Sequence, residues 1–296
     1  MPELPEVQTT VDGLNRTVRN RTIVGVSTTY DSPFYKNKEE IKNPEFFKIF
    51  KKKVIGQKIL KAERRAKNIL IHLSPASPKA SQDRMTILIH MKMTGYFYYN
   101  PSSDAPFIRL IFKLDNGKTL AFSDMRKFAK VTLVPTKELA ESLHLKDLGP
   151  EPLDKKFTYP IFKSRLLKRP RGIIKTVLMD QNLIAGIGNI YSDEILWRSC
   201  IHPLSLVKDI PEKNLKLAFK ATKEVLRKGI DFGGDSMSDY RNIEGEKGKF
   251  QDHHRAYRKH KTACVQRGCK GVLARTVVGT RSAHFCPVHQ KLYGKK

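Results

Sequence analysis

Met1-Pro2-Glu3-Leu4-Pro5-Glu6-Val7-Gln8-Thr9-Thr10 opens the chain, and the rest of the sequence is best read outward from it. Loss of Met1 would leave Pro2 as a secondary amine. An α-amino group gives up its proton near pH ~8, well below lysine, so an appreciable fraction is an uncharged nucleophile at neutral pH. Attack on an aldehyde carbon turns such an amine into an iminium with no proton to lose, which is covalent catalysis by an amine. Glu3 and Glu6 supply carboxylates beside it. The same residues also read as a stiff helix cap. Pro5 suits the first helical position, where a missing N–H costs nothing. Val7, Val11, Leu14 and Val18 then form one apolar stripe at helical spacing.

Composition points to a polyanionic partner. The 296 residues carry 56 Lys+Arg against 29 Asp+Glu, a net charge of +27. Such an excess fits nucleic acid first and an acidic membrane surface second. The basic residues are spread through patterned, foldable sequence rather than gathered in a tail. No apolar run reaches membrane-spanning length, and the N-terminus is acidic where a signal peptide would be basic. A cytoplasmic, monomeric protein is expected. Four cysteines in a chain of this length do not make a disulfide framework.

The pattern changes along the chain. After the first helix, residues 1–135 read as short strands: Ile23–Thr28, Ile69–Leu73, Thr86–Met91, Tyr96–Tyr99, Ile108–Leu114, Thr119–Phe122 and Val131–Val134. Asp115-Asn116-Gly117 is a hairpin turn between two of them. Ser74–Arg84, rich in Pro, Ser and Ala, reads as a surface loop. Many short strands with turns imply a sandwich or barrel. A linker, 136–153, contains Leu148-Gly149-Pro150-Glu151-Pro152. Helical patterns follow at Ile161–Leu167, Lys175–Asp180, Ile190–Arg198 and Glu212–Gly229, within a domain drawn as 154–250. Its polar segment 235–248 reads as a mobile loop. Residues 251–296 form a separate basic unit with six Lys and five Arg against the single acid Asp252.

Within that last unit, Cys264, Cys269, Cys286 and His289 have the spacing C-x4-C-x16-C-x2-H. Two close pairs separated by a hairpin-length span are how a tetrahedral zinc site is built. The span between them, Val272 to Arg281, reads as two strands around a turn. A structural Zn2+ would replace the core this segment is too short to have. His284 and His260 are alternative ligands, and Cys200 reads as a buried small hydrophobe.

Three further segments carry possible chemistry. Gly186-Ile187-Gly188-Asn189 lies between two helical stretches and reads either as a tight turn or as a phosphate-binding helix start, with Asn189 capping the helix or contacting the phosphate. Lys67 precedes a strand. Asp124-Met125-Arg126-Lys127-Phe128 sets an arginine two residues before an aromatic. In a protein that extracts a base from a duplex, Arg can hydrogen-bond the orphaned base and Phe can wedge into the stack.

Taken together, MPELPEVQTT, RRAKN, IHMKMTG, DMRKF, LMDQNLIAGIGNIYSDEILW, GGDSMSDYRNIEGEKGKFQ and VVGTRSAHFCPVHQ resemble, in order and over essentially the whole chain, the bacterial formamidopyrimidine-DNA glycosylases, within the wider formamidopyrimidine-glycosylase and endonuclease VIII family. The resemblance implies an α+β multidomain fold: an N-terminal β-sandwich with its helix, a helix–two-turn–helix domain, and a C-terminal zinc-finger β-hairpin. It implies double-stranded DNA lying across a cleft between the halves. By this resemblance, Pro2 is the Schiff-base nucleophile, Glu3 a proton relay, Glu6 a supporting carboxylate, and Lys67 a phosphate contact assisting β-elimination. Arg281 is a phosphate contact linked to δ-elimination. Met93, Arg126 and Phe128 fill the void left by the flipped base. Asn189 contacts a phosphate, and Lys175, Arg169 and Arg171 make further DNA contacts. Segment 235–248 resembles the loop that closes over 8-oxoguanine.

The implied activity is removal of oxidised purines by a bifunctional glycosylase and abasic-site lyase. The alternatives are an endonuclease VIII-like enzyme for oxidised pyrimidines and a non-catalytic, zinc-dependent DNA binder. Three departures from the family pattern stand out. The finger is Cys3His with C-x4-C, where four cysteines and C-x2-C are usual. Asp124-Met125-Arg126-Lys127-Phe128-Ala129 replaces Asp-Pro-Arg-Arg-Phe-Gly. Phe107 lies near where many relatives carry a DNA-contacting histidine.

Overall fold

The computed structural model describes residues 1–74 and 84–294, so the loop expected at Ser74–Arg84 lies, but for its two end residues, outside the described residues. Contacts divide the chain into two compact units: Met1–Lys146 with Gly233–Lys249, and Asp147–Phe232 with Phe250–Lys296.

The first unit is a β-sandwich with a helix at its start. Helix α1 (Leu4–Thr17) buries Val7, Val11 and Leu14, and Val18 at its C-cap is buried with them, the stripe read from the sequence. Each such side chain removed from water stabilises by about 1.5–3 kcal/mol. Among the described residues eight strands follow, interrupted by helix α2 (Pro44–Val54): β1 (Ile23–Thr28), β2 (Ile59–Arg65), β3 (Asn68–Leu73), β4 (Met85–His90), β5 (Gly95–Tyr99), β6 (Ile108–Leu114), β7 (Thr119–Asp124) and β8 (Lys130–Pro135). They form two four-stranded sheets, β1-β6-β7-β5 and β2-β3-β4-β8. One core draws side chains from both sheets, among them Ile23, Phe97, Phe112 and Phe122 from the first and Ile59, Ile71, Ile87 and Val131 from the second. The turn at Asp115-Asn116-Gly117 joins β6 to β7, with Gly117 at φ +76°, a conformation that glycine adopts without strain.

Residues 233–249 group with this first unit although they follow the helical region in sequence. The expectation of a mobile loop meets a segment pinned at two points. Tyr240 is buried and donates its hydroxyl to the Glu6 carbonyl at 3.0 Å. Ile243 joins the sandwich core, and its carbonyl accepts from the Tyr99 amide at 2.8 Å.

Among the described residues the second unit holds four α-helices, α3 (Tyr159–Leu166), α4 (Ile174–Met179), α5 (Asn189–Arg198) and α6 (Glu212–Asp231), and one hairpin, β9 (Ala274–Val278) with β10 (Arg281–Phe285). The linker glycine Gly149 is packed: a Cβ there would sit 2.6 Å from the Leu183 backbone. Among the described residues no helix is long and apolar enough to cross a membrane.

Candidate functional site

The N-terminal residues are held by the helix they begin. Pro2 is buried, as are Glu3 and Glu6. Glu3 is the N-cap of α1, and the two glutamates form a reciprocal capping box. Glu6 Oε2 accepts from the Glu3 amide at 2.7 Å, and Oε1 accepts from the Asp235 amide at 2.7 Å. Both carboxylates lie at the positive end of the helix dipole, where anions are stabilised. Gly234, at φ +84°, passes so close that a Cβ would lie 2.9 Å from Glu6 Cγ. Segment 233–249 therefore fixes one oxygen of Glu6 and the helix cap fixes the other.

Lys67 occupies the two-residue turn between β2 and β3, whose register places Arg65 opposite Asn68. Its neighbour Ala66 has φ +54°, and Lys67 itself is buried. Nearby lies His90, which the sequence reading passed over. Burial first, and then the charges of Lys92, Lys67, His144 and Lys130, push its imidazole down to about 3, so it is neutral. Its Nδ1 accepts from the Lys92 amide at 3.0 Å.

Arg126 touches both Phe128, two residues on, and Met93, thirty-three residues earlier. Arg126 Nη1 lies 3.0 Å from Met93 Sδ, and the guanidinium carbon sits 4.6 Å from the centroid of the Phe128 ring. Met93 is 37% exposed and Phe128 48% exposed, so these apolar side chains stand out in solvent as a cluster.

In the second unit, helix α5 organises the candidate metal centre. Asn189, Asp193 and Trp197 recur every fourth residue and so share one side of the helix. Cys264, Cys269, Cys286 and His289 converge so that all four ligand atoms lie within 4.8 Å of one another. Cys264 Sγ is 3.3 Å from His289 Nδ1, and Cys269 Sγ is 3.6 Å from Cys286 Sγ. A tetrahedron with metal–sulfur bonds of about 2.3 Å has edges of about 3.8 Å, so the cluster is of the right size for one ion. His289 Nε2 lies 3.1 Å from the Trp197 carbonyl. Donating there leaves the Nδ1 lone pair for a metal, the usual outer support of a histidine ligand. Burial raises the Cys286 thiol, but the amides of His289 and Val288 together with the Cys269 and Cys264 side chains outweigh it and hold the thiol below its ordinary value. Burial pushes the Cys264 thiol up to about 11. His284, a possible alternative ligand, is engaged elsewhere: its Nδ1 is 2.9 Å from Asp193 Oδ2.

One expectation about a side chain needs correction, and one of the two readings of Asn189 falls away. Lys175, expected among the DNA contacts, is fully buried (0% exposed). Its ammonium lies 2.5 Å from Asp193 Oδ1, 3.1 Å from Ser192 Oγ and 3.3 Å from the Asn189 carbonyl. A wholly enclosed ammonium with these partners is a strut between α4 and α5. Asn189 does not cap α5 either: the N-cap is Gly188, and Asn189 is the first helical residue. Its buried Oδ1 has no hydrogen-bond partner among the described residues. Arg169 and Arg171 are exposed between α3 and α4, and Arg281 is exposed where β10 leaves the hairpin turn.

The sequence reading also passed over Glu194. It accepts from the backbone amides of Arg255, Ala256 and Tyr257 at 2.8, 2.9 and 2.9 Å, tying the start of the C-terminal segment to α5. The adjacent acids Asp193 and Glu194, set among Tyr191, Ile195, Leu196 and Trp197, were the available signal.

Comparisons with known proteins agree with this architecture. Residues 1–131 match the family model of the formamidopyrimidine-DNA glycosylase N-terminal domain, and residues 148–241 match that of its H2TH domain. The formamidopyrimidine-DNA glycosylase of Pelotomaculum thermopropionicum is 35% identical over 294 residues, covering 99% of this chain and 100% of that protein. Among solved structures, Lactococcus lactis Fpg bound to DNA containing an abasic site has a TM-score of 0.83 at 29% identity, covering 98% of this chain and 99% of that one. The wild-type form of the same protein bound to DNA containing N7-benzyl-Fapy-dG has a TM-score of 0.83 at 30% identity, covering 98% and 100%. The chain belongs to the formamidopyrimidine-DNA glycosylase family.

Proposed function

We propose that this protein is a base-excision repair enzyme, a DNA glycosylase and abasic-site lyase that removes oxidised purines from double-stranded DNA. The observation that carries the reading is the fixed N-terminus: Pro2 is buried directly ahead of α1, beside two carboxylates held by the helix cap and by segment 233–249. Removal of Met1 is a condition of the chemistry, because it frees the Pro2 nitrogen.

The nitrogen attacks C1′ of the damaged nucleotide, and the base departs with a proton delivered through Glu3. The sugar opens as an iminium on Pro2. The positive charge acidifies C2′–H, and its loss expels the 3′ phosphate (β-elimination). A second elimination expels the 5′ phosphate, water then hydrolyses the iminium to free Pro2 and release the sugar remnant as an unsaturated aldehyde, and a one-nucleotide gap with phosphate at both ends remains. Glu6 holds the cap geometry, Lys67 contacts phosphate and assists the first elimination, and Arg281 binds phosphate for the second. Asn189, Arg169 and Arg171 bind further phosphates.

Extraction of the base costs a few kcal/mol. Met93, Arg126 and Phe128 fill the space it leaves, and the net charge of +27 offsets the cost through phosphate contacts that weaken as salt rises. One Zn2+ held by Cys264, Cys269, Cys286 and His289 supplies structural support to the hairpin that carries Arg281, and the bond-breaking steps use protein groups. Acting on chromosomal DNA, the enzyme is expected to work as a cytoplasmic monomer.

Borohydride trapping on duplexes with 8-oxoguanine, formamidopyrimidine, thymine glycol or an abasic site tests this reading. A covalent adduct is expected with the purine lesions and the abasic site, lost in Pro2→Gly. Trapping on thymine glycol but not on 8-oxoguanine would favour a pyrimidine-directed enzyme. Binding without any adduct from Met1-free protein would favour a non-catalytic binder.

A further inference from the structure

The three protruding side chains come from two loops that have no core of their own. Met93 lies in the turn between β4 and β5, and Arg126 and Phe128 lie in the turn between β7 and β8. Met125, Arg126, Lys127 and Phe128 are all exposed. Beneath them sits one fully buried carboxylate, Asp124. Its Oδ1 accepts from Thr94 Oγ1 at 2.7 Å, and its Oδ2 accepts from the Tyr30 hydroxyl at 2.8 Å and the Ala129 amide at 2.9 Å. Its carbonyl accepts from Arg109 Nε at 3.1 Å. The Thr94 hydroxyl also accepts from the Arg126 amide at 3.0 Å. One hydroxyl thus joins the Met93 loop to the Asp124 carboxylate and to the backbone of Arg126.

We propose that Asp124 and Thr94 are positioning residues that lock the two loops into a single wedge, so that Met93, Arg126 and Phe128 enter the duplex together rather than as independent side chains. This rests on the glycosylase reading above. A buried carboxylate that accepts from two hydroxyls and an amide is fully committed, and each charge-assisted bond resists displacement of the loop it holds. Burial, and then the neighbouring Asp124, keep the Tyr30 hydroxyl protonated and therefore a permanent donor. The consequence is selective. Extraction of an intact base requires the vacated space to be filled in register, whereas an abasic site has no base to extract. Loosening the wedge should therefore slow base excision and spare strand cleavage at a preformed abasic site.

The test compares Thr94→Val with Thr94→Ser in the Met1-free full-length protein. Single-turnover rates are measured on an 8-oxoguanine duplex and on an abasic duplex, with 2-aminopurine beside the orphaned base reporting unstacking. For Thr94→Val, base excision and the 2-aminopurine signal should fall on the order of tenfold, the worth of one charge-assisted hydrogen bond, while abasic cleavage stays within about twofold. Thr94→Ser should restore both. Equal loss of both reactions, or loss of neither, would overturn the proposal. A wild-type protein that traps no adduct on abasic DNA defeats the catalytic reading instead. The wedge is then judged on 2-aminopurine alone, supported by a signal lost in Thr94→Val and kept in Thr94→Ser, and overturned by equal signals.

Discussion

Lys175→Met separates an internal strut from a DNA contact. The side chain is fully enclosed, and its ammonium bonds Asp193, Ser192 and the Asn189 carbonyl, bridging α4 to α5. Methionine keeps most of the volume and removes the charge. Breaking a buried ion pair by deleting one partner costs about 3–5 kcal/mol, because the remaining charge stays buried. Asp193 Oδ2 keeps its bonds from the His284 amide and ring at 3.0 and 2.9 Å, so the lower end, about 3 kcal/mol, is expected. For a unit of this size that lowers the midpoint of thermal unfolding by roughly 10 °C. Calorimetry measures the midpoint, and DNA affinity from 50 to 200 mM salt measures phosphate contacts. A lost phosphate contact flattens the log–log salt slope by about 0.9, whereas a lost strut leaves the slope of the folded protein unchanged. An unaltered melting midpoint with a slope reduced by about one would refute the reasoning.

Gly234→Ala should slow base excision by at least about tenfold with modest loss of stability, since the new Cβ at φ +84° meets Glu6 Cγ at 2.9 Å; unchanged single-turnover rates would show that Glu6 can move freely. His289→Ala should lower bound zinc below one per chain at micromolar free metal, measured by elemental analysis, while His289→Cys retains it, because zinc accepts either donor. Stability should fall with acid in a window set by His90. The unfolded chain takes up the proton near pH ~6.5, but the folded imidazole does so only near 3, so its stabilisation is complete above the first value and lost as pH falls toward the second. The difference between wild type and His90→Gln in denaturant titrations should change by about 1.4 kcal/mol per pH unit across that window, and a flat difference would place the proton elsewhere.

How legible the fold was depended on how much chemistry each segment wears on its own surface. Seven strand segments and the helical stretches were recognisable by alternation and periodicity. Strand β2 was not: Ile59–Arg65 carries Lys61, Glu63, Arg64 and Arg65, poor β-formers in isolation. It is an edge strand, and its Ala62 backbone is paired by the Asn15 side chain at 2.8 and 2.9 Å, a partner distant in sequence. Helix α2 was missed although its signals were present: Asn43 caps it, Pro44 starts it and Lys51–Lys53 end it. The metal ligands, His289 included, were legible because their donor chemistry and spacing are restrictive; what engages the alternative His284 is Asp193, about ninety residues away in the chain.

By itself, the sequence determined the chemical inventory: a proline poised to become a terminal amine, two nearby carboxylates, a Cys3His set and a large basic excess. These are properties of residue type and short spacing, and they survive any folding. Only the tertiary structure decided which groups are free to act and which are consumed in holding the fold. Lys175 has the chemistry of a phosphate ligand and is spent on Asp193. Asp124 looked like the edge of a motif and is the anchor beneath Met93, Arg126 and Phe128. Burial and hydrogen-bond partners are set by residues far away in sequence, and a charged side chain changes its role when it loses water and gains a fixed partner.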